Sequence, residues 1–342
     1  MQYLTLMTTS YTRLTLADRE EISRGIWALE TFAAIARRIN RPASTVSREV
    51  WKTVKYSWCY RAERAEEKAT MQSKKGRPKK LDAHAPLREY VYARLRIKWS
   101  PEEIAERLKK EYPHDTGMRI SHETIYQHLY CLPKGELKKE LMRELRQERK
   151  LRQPRKYAHY RRQGIQDIVS IHERPPEVED RTVPGHWEGD LIVGPGHASA
   201  MGTLVERTTR LTLLVPLKEK DAMSVRKAFA RAFLRIPAGM KKSLTYDRGT
   251  EMSQHRIFSE AEDISVFFAD PYSPWQRGTN ENTNGLIRQY FPKGTDFNSV
   301  PRSAVREAEQ QLNSRPRKTL DYYTPSEQFY SLITGRKVAL AT

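Results

Sequence analysis

The chain has 342 residues, with 61 Lys and Arg against 42 Asp and Glu and a net charge of +19. That length accommodates two or three domains, at least one with an enzyme-sized core, and the charge exceeds what solubility needs, so a polyanion is the expected partner. No run approaches the roughly 18 apolar residues of a membrane-spanning helix, and the start MQYLTLMTTS lacks the charged segment and long apolar core of a signal peptide. The expected location is cytoplasmic, in association with the nucleoid. Cys59 and Cys131 lie far apart and neither belongs to a C-x-x-C pair, which leaves a disulfide frame or zinc knuckle without support. His122, His128 and Cys131 lie close in sequence but lack a fourth ligand. The charge is uneven, with a net +13 over residues 1–180 and +6 over 181–342, so most polyanion contact is expected in the N-terminal part.

Three short helices are legible near the start. Thr15 opens a T-x-x-D version of the capping box, followed at helical spacing by Ile22, Ile26 and Leu29. In TFAAIARRIN, Phe32, Ile35, Ala36 and Ile39 share a face, and Asn40 is placed to take the left-handed conformation that ends a helix. The third helix, PASTVSREVWK, opens at Pro42 and buries Val46 and Val50. The small Ala36 beside a tight turn suits a helix-turn-helix, whose two helices cross closely. The exposed face of the third helix carries Ser44, Thr45, Ser47 and Arg48, all able to contact phosphates or base edges.

The pattern recurs. SPEEIAERL has Ser100 as N-cap, Pro101 at the first helical position and Glu103 closing the box, while Ile104, Ala105 and Leu108 repeat the spacing of Ile35, Ala36 and Ile39. TIYQHL echoes TVSREV, so a second recognition helix presenting His122, Thr124, Tyr126 and Gln127 is expected. Between the units lies KKGRPKK, with Lys75, Arg77 and Lys79 around a Gly-Arg-Pro core. Such a Pro-stiffened basic segment can lie in a narrow A·T-rich minor groove with Arg77 inserted, or can be a solvated basic linker. Two helix-turn-helix units joined in this way resemble the bipartite end-binding domains of several DNA transposases.

Residues 134–180 join the halves. Leu137, Leu141, Met142 and Leu145 form one helical stripe suited to packing or dimerisation. The following RQPRKYAHYRRQ is basic with interleaved tyrosines, a composition suited to tracking a phosphate backbone. It holds His159-x-x-Arg162, a fragment of the tyrosine recombinase signature, but no tyrosine follows until Tyr246.

From about residue 181 the pattern turns to strands. GHWEGDLIVG puts Trp187, Gly189, Leu191 and Val193 on one face and His186, Glu188, Asp190 and Ile192 on the other. GTLVERTT and RLTLLVPL continue it as an antiparallel meander. The helix AMSVRKAFARAFLRI, the strand of KSLTYDRGTEM ending at Asp247, a further helix, the strand ISVFFAD and a helix through GLIRQYF complete the set. Three strands followed by alternating helix and strand describe an α/β ribonuclease H-like domain, with a mixed five-stranded sheet and flanking helices. Its first and fourth strands are central neighbours, so Asp190 and Asp247 meet and Glu281, on a late helix, supplies a third carboxylate. Two Mg²⁺ or Mn²⁺ ions, held about 3.5 to 4 Å apart, activate an attacking oxygen and stabilise a leaving one. Hard cations want oxygen ligands. Asp190 is the expected bridging ligand, with Asp247 and Glu281 each holding one ion. Arg288, seven residues beyond Glu281, is expected to hold a phosphate nearby.

GHWEGDLIVG, YDRGTEM and SPWQRGTNENTNGLIRQYFPKGTDF resemble the three blocks of the DDE transposases of the IS-thirty insertion-sequence family, within the wider integrase superfamily, and the resemblance covers nearly the whole chain. It implies the catalytic triad Asp190, Asp247 and Glu281, with 33 residues between the last two. Where many relatives in the wider superfamily carry Asn after the second Asp, this chain has Arg248. The expected organisation is multidomain: a first helix-turn-helix domain over 1–70, the basic linker over 71–82, a second helix-turn-helix domain over 83–133, a basic helical linker over 134–180 and the catalytic domain over 181–342. The expected activity is binding of double-stranded DNA at terminal inverted repeats, cleavage there, and strand transfer to target DNA by a homodimer or larger homo-oligomer. The competing reading is a DNA-binding regulator with an inactive nuclease-like domain, which has no need of an intact acid triad.

Overall fold

The computed structural model describes residues 13–74, 79–145, 165, 167–271 and 273–336. Lys75, Arg77, His159 and Arg162 lie outside the described residues. The chain divides into two compact units, Met1–Lys79 and Lys80–Thr342.

The first unit is helical. α1 (Leu16–Trp27) begins at Thr15, whose hydroxyl accepts from the Asp18 amide while the Asp18 carboxylate accepts from the Thr15 amide. α2 (Phe32–Arg38) ends before Asn40, which takes a left-handed φ of 52°. α3 (Ala43–Thr53) starts beside Pro42, and α4 (Ala62–Lys74) closes the bundle. Ile22, Ile35, Ala36, Val46, Val50 and Tyr60 form its core. Gly25 lets α1 and α2 approach, because a Cβ there would stand 2.4 Å from Ile35 Cγ1. Buried Arg19 on α1 pairs with Glu49 on α3 and Glu66 on α4, tying the bundle together.

The second unit opens with α5 (Lys80–Ala83), α6 (Ala85–Arg96), α7 (Pro101–Glu111), α8 (His122–Cys131) and α9 (Glu136–Arg143). Ser100 and Glu103 form the expected capping box at α7. Leu87, Val91, Leu95, Ile104, Leu108 and Ile125 are fully buried, and Leu141 of α9 joins them.

After the short α10 (Glu177–Asp180) comes a five-stranded mixed sheet. Its strands are β1 (His186–Val193), β2 (Ala200–Glu206), β3 (Thr212–Pro216), β4 (Ser243–Tyr246) and β5 (Ser265–Phe268), in the order β3-β2-β1-β4-β5. β1 runs antiparallel to β2 and parallel to β4, as the ribonuclease H-like reading requires. α11 (Ala222–Phe233) and α12 (His255–Glu262) cover the face of Trp187 and Leu204 with Phe229, Phe233 and Phe258. α13 (Gly278–Ile287) and α14 (Arg302–Asn313) cover the other face, where Ile192 and Leu214 meet Leu286, Ile287 and Leu312. The alternation read in GHWEGDLIVG is the alternation of these two cores. Gly189 leaves room for Tyr246, which lies 2.7 Å from where a Cβ would stand.

α14 also protects the edge of the sheet. Asn313 exchanges two 2.8 Å bonds with the Thr212 backbone, and Glu309 accepts from the Leu214 amide, so β3 presents fewer free backbone groups to another chain. The unit closes with α15 (Pro325–Thr334). Here Glu327 pairs with Arg107 of α7, while Glu103 and Glu102 of α7 pair with Arg315 and Lys318.

Candidate active site and DNA-binding helices

The parallel pairing of β1 with β4 places the two aspartates. Glu188 lies opposite Thr245, so a step of two residues along each chain brings Asp190 and Asp247 to the same end of adjacent strands. Arg277, just before α13, stands between them. Its Nη1 lies 3.4 Å from Asp190 Oδ1 and its Nη2 lies 3.3 Å from Asp247 Oδ2. A further bond from Nη1 to the Gly189 carbonyl, at 3.0 Å, fixes the guanidinium to β1.

The charges shape one another. Burial pushes the Asp190 carboxyl above its ordinary range; Arg277 opposes that shift, and the like charge of Asp247 adds to it. For Arg277, burial works against the charge, but the two aspartates together outweigh it and raise its pKa.

α13 is tied to β1 by amides. Asn284 Nδ2 donates to Asp190 Oδ2 at 2.8 Å, and the Asn280 side chain donates to the Glu188 carbonyl at 3.1 Å. Thr203 on β2 contacts the carbonyl oxygens of both asparagine side chains, at 3.0 and 3.2 Å. These contacts explain why a helix rich in Asn and Thr packs inward: Thr279, Asn280 and Thr283 are buried and have partners.

Glu281 is exposed on α13, four residues after Arg277 and three before Asn284. Both of those neighbours contact Asp190. Among the described residues, no three His, Cys, Asp or Glu side chains are gathered closely enough to hold a metal ion. The structure therefore brings Asp190 and Asp247 together around Arg277 but does not draw Glu281 into a three-carboxylate cluster. Arg277 sets one positive charge against two aspartates, so a third carboxylate moved inward would add to a net negative charge in a partly desolvated site.

Glu188 shares the strand face of Asp190 but has another role. It is fully buried, with Oε1 accepting from Arg207 at 2.9 Å and Oε2 accepting from the Asn280 amide at 2.8 Å. Arg248 donates to the Ala269 carbonyl and lies 3.6 Å from Asp270, linking the ends of β4 and β5. Arg288 turns toward backbone carbonyls instead of the aspartates, with Val193, Phe291 and Pro292 at 3.3 to 3.5 Å. Arg277, Asn280, Asn284 and Thr203 were not singled out by sequence reasoning. The available signal was the position of Arg277 and Asn284 one helical turn either side of Glu281.

Of the expected base readers, Ser44 and Arg48 of α3 are exposed and Thr45 and Ser47 are half-buried. Thr45 and Arg48 line a groove with Arg13 and Lys52. On α8, His122 and Gln127 are exposed, whereas Thr124 and Tyr126 are half-buried. Thr124 belongs to the helix cap, with its hydroxyl 2.8 Å from that of Ser121, and Tyr126 stacks on Tyr130. His128 is buried and bonded to the Tyr92 hydroxyl at 2.7 Å. Lys79 is exposed.

Residues 10–52 match the model of a helix-turn-helix domain and residues 180–274 that of an integrase core domain. The chain is 44% identical to the transposase for insertion sequence element IS1086 of Cupriavidus metallidurans, over 93% of this chain and 94% of that protein. It is 43% identical to transposase InsI for insertion sequence element IS30A of Escherichia coli, over 96% of this chain and 84% of that protein. With the transposase for insertion sequence element IS4351 of Bacteroides fragilis it shares 36% identity over 90% of this chain and 93% of that protein. A helix-turn-helix followed by an integrase core, with such identity along nearly the full length of several relatives, establishes that the chain belongs to the IS30 family of insertion-sequence transposases.

Proposed function

We propose that this protein binds the terminal inverted repeats of its own insertion sequence, cleaves DNA there and joins the freed 3′ ends to target DNA. The observation that carries the reading is the convergence of Asp190 and Asp247 on one cation, Arg277, at the open end of the central strands. A pair of carboxylates that gathers positive charge on the core of an integrase-like domain suits phosphodiester chemistry.

The residues fit a hard divalent cation. All three proposed ligands, Asp190, Asp247 and Glu281, offer carboxylate oxygens, and the guanidinium between the aspartates marks where they accept positive charge. Two Mg²⁺ ions, or Mn²⁺ in their place, supply Lewis acidity toward the attacking and leaving oxygens when bound. Asn284 orients Asp190 by holding Oδ2. Arg277 offsets the repulsion between the aspartates, and Glu281, exposed on α13, is free to turn toward a new positive charge. The exposed face of α3 reads bases, and the second pair of helices, α7 and α8, extends contact along the repeat.

The test is strand joining with a labelled duplex carrying the terminal repeat. The parent should join its 3′ end to a target plasmid in Mg²⁺, and Asp190→Asn should bind the duplex without joining it. Equal joining by both proteins would remove the enzymatic reading.

A further inference from the structure

α13 has a second working face. Away from Asp190 it borders a cleft of about 310 Å³, lined by Arg181, Arg210 and Arg317 and by the threonines Thr279, Thr283 and Thr319. Among the described residues, no Asp or Glu lines the cleft.

The cleft gathers positive charge without a carboxylate among its described lining residues. Arg210 is half-buried and donates to Thr279 Oγ1 at 2.6 Å, yet its buried Nε has no hydrogen-bond partner among the described residues. Burial lowers its pKa and the like charge of Arg181 lowers it further, against the opposing carboxylates of Glu188 and Glu206. Arg181 is exposed and sits at the end of α10 with a φ of 53°, a left-handed conformation uncommon for a long side chain. Among the described residues, neither Arg181 nor Arg210 forms an ion pair. Arg207, three residues from Arg210, is paired with Glu188. The fold therefore supplies a direct ion pair to Arg207 and, among the described residues, holds Arg181 and Arg210 together without one.

Guanidinium and hydroxyl donors around a concavity match the several acceptor oxygens of a phosphodiester. Two like charges held side by side become favourable when an anion lies between them. The opposite face of α13 carries Asn284, which holds Asp190, and leads to Glu281, so one helix borders both the cleft and the candidate acids. We propose that the cleft of Arg181, Arg210 and Arg317 binds a backbone phosphate of the DNA held at the candidate active site, as a positioning contact separate from the three acids. It rests on the transposase reading for the identity of that DNA.

The experiment uses the full chain and a duplex containing the terminal repeat with flanking sequence, in which single phosphates are replaced by neutral methylphosphonates. Arg181→Ala is the informative variant, because Arg181 is exposed and its loss leaves the core intact. The parent should lose affinity at one neutralised phosphate near the joined end, by roughly three- to tenfold. Arg181→Ala should lose about as much on unmodified DNA and nothing further at that position. The dependence of log affinity on log salt should become shallower by about 1, and Arg181→Lys should restore it. If every methylphosphonate costs Arg181→Ala what it costs the parent, the cleft is not a phosphate site. The catalytic reading is read separately: absent coupling with an inactive Asp190→Asn overturns the cleft alone. Coupling that persists while Asp190→Asn still joins DNA supports the contact and removes the catalysis.

Discussion

The side-chain amide of Asn284 donates to Asp190 Oδ2 across 2.8 Å, joining the helix of Glu281 to the strand of Asp190. Removing that bond frees one oxygen of Asp190 to rotate and loosens the register between the two elements. Asn284→Ala should therefore slow strand joining at saturating DNA by about 10- to 100-fold, the usual cost of losing a group that orients a ligand, while the affinity for the terminal repeat stays at the parent value. An unchanged joining rate would show that Asp190 needs no such support.

Glu188 is predicted to be a structural carboxylate. Its bonds to Arg207 and the Asn280 amide are fully buried, and breaking a buried ion pair by removing one charge typically costs about 3 to 5 kcal/mol. Glu188→Gln should unfold at a clearly lower temperature than the parent, yet join DNA measurably at temperatures where it remains folded. Loss of joining at full stability would make Glu188 part of the chemistry.

Arg277 and a divalent cation should compete for the same carboxylates. In DNA-free protein, Arg277→Ala should bind Mn²⁺ more tightly than the parent by calorimetry, because the aspartates are left without their counter-ion. Weaker Mn²⁺ binding would instead mean that Arg277 holds the aspartates in the geometry the metal needs.

Asp190 gives a pH dependence of definite sign. Its folded pKa lies above the ordinary value of 3.8, chiefly through burial, so the native state retains this proton to higher pH than the unfolded chain. In metal-free protein that contribution weakens stability as pH climbs from 3.8 through the raised folded value. Asp190→Asn removes the contribution and should be at least as stable as the parent at neutral pH. Denaturant unfolding across that range measures it; a variant less stable than the parent at neutral pH would contradict the sign.

Base reading should be separable from phosphate holding on α3. Arg48 is exposed and, among the described residues, makes one long side-chain contact, 3.4 Å to Ser44, which leaves it able to reach the major groove. Arg48→Ala should reduce discrimination between the true repeat and a mutated repeat by about 1 to 3 kcal/mol. A uniform loss on both sequences would assign Arg48 to the backbone.

Much of this architecture is legible in the sequence because the signals are local. The capping boxes of Thr15 and Ser100, the left-handed Asn40 and the two-residue alternation around Trp187 and Ile192 all appear where pattern places them. The order of elements also brings Asp190 beside Asp247. Alternation could not separate Glu188 from Asp190, since both lie on one face; the difference is made by Arg207, which reaches Glu188 from the turn after β2. The Asn- and Thr-rich start of α13 carries no apolar stripe, yet Thr279, Asn280 and Thr283 are buried. The partners of Thr279 and Asn280, which are Arg210, Glu188 and Thr203, lie far away in sequence, and no periodicity announces a buried polar network.

Asp190, Asp247 and Glu281 are proposed to act together on DNA, and in the structure Asp190 and Asp247 meet around Arg277. The most direct measurement compares Glu281→Gln with the parent in joining a labelled terminal-repeat duplex to a plasmid in Mg²⁺, with duplex affinity measured on the same preparations. Glu281 is exposed, so the substitution should leave the fold and the repeat affinity unchanged while joining disappears. Joining by Glu281→Gln at the parent rate, with equal affinity, would contradict it.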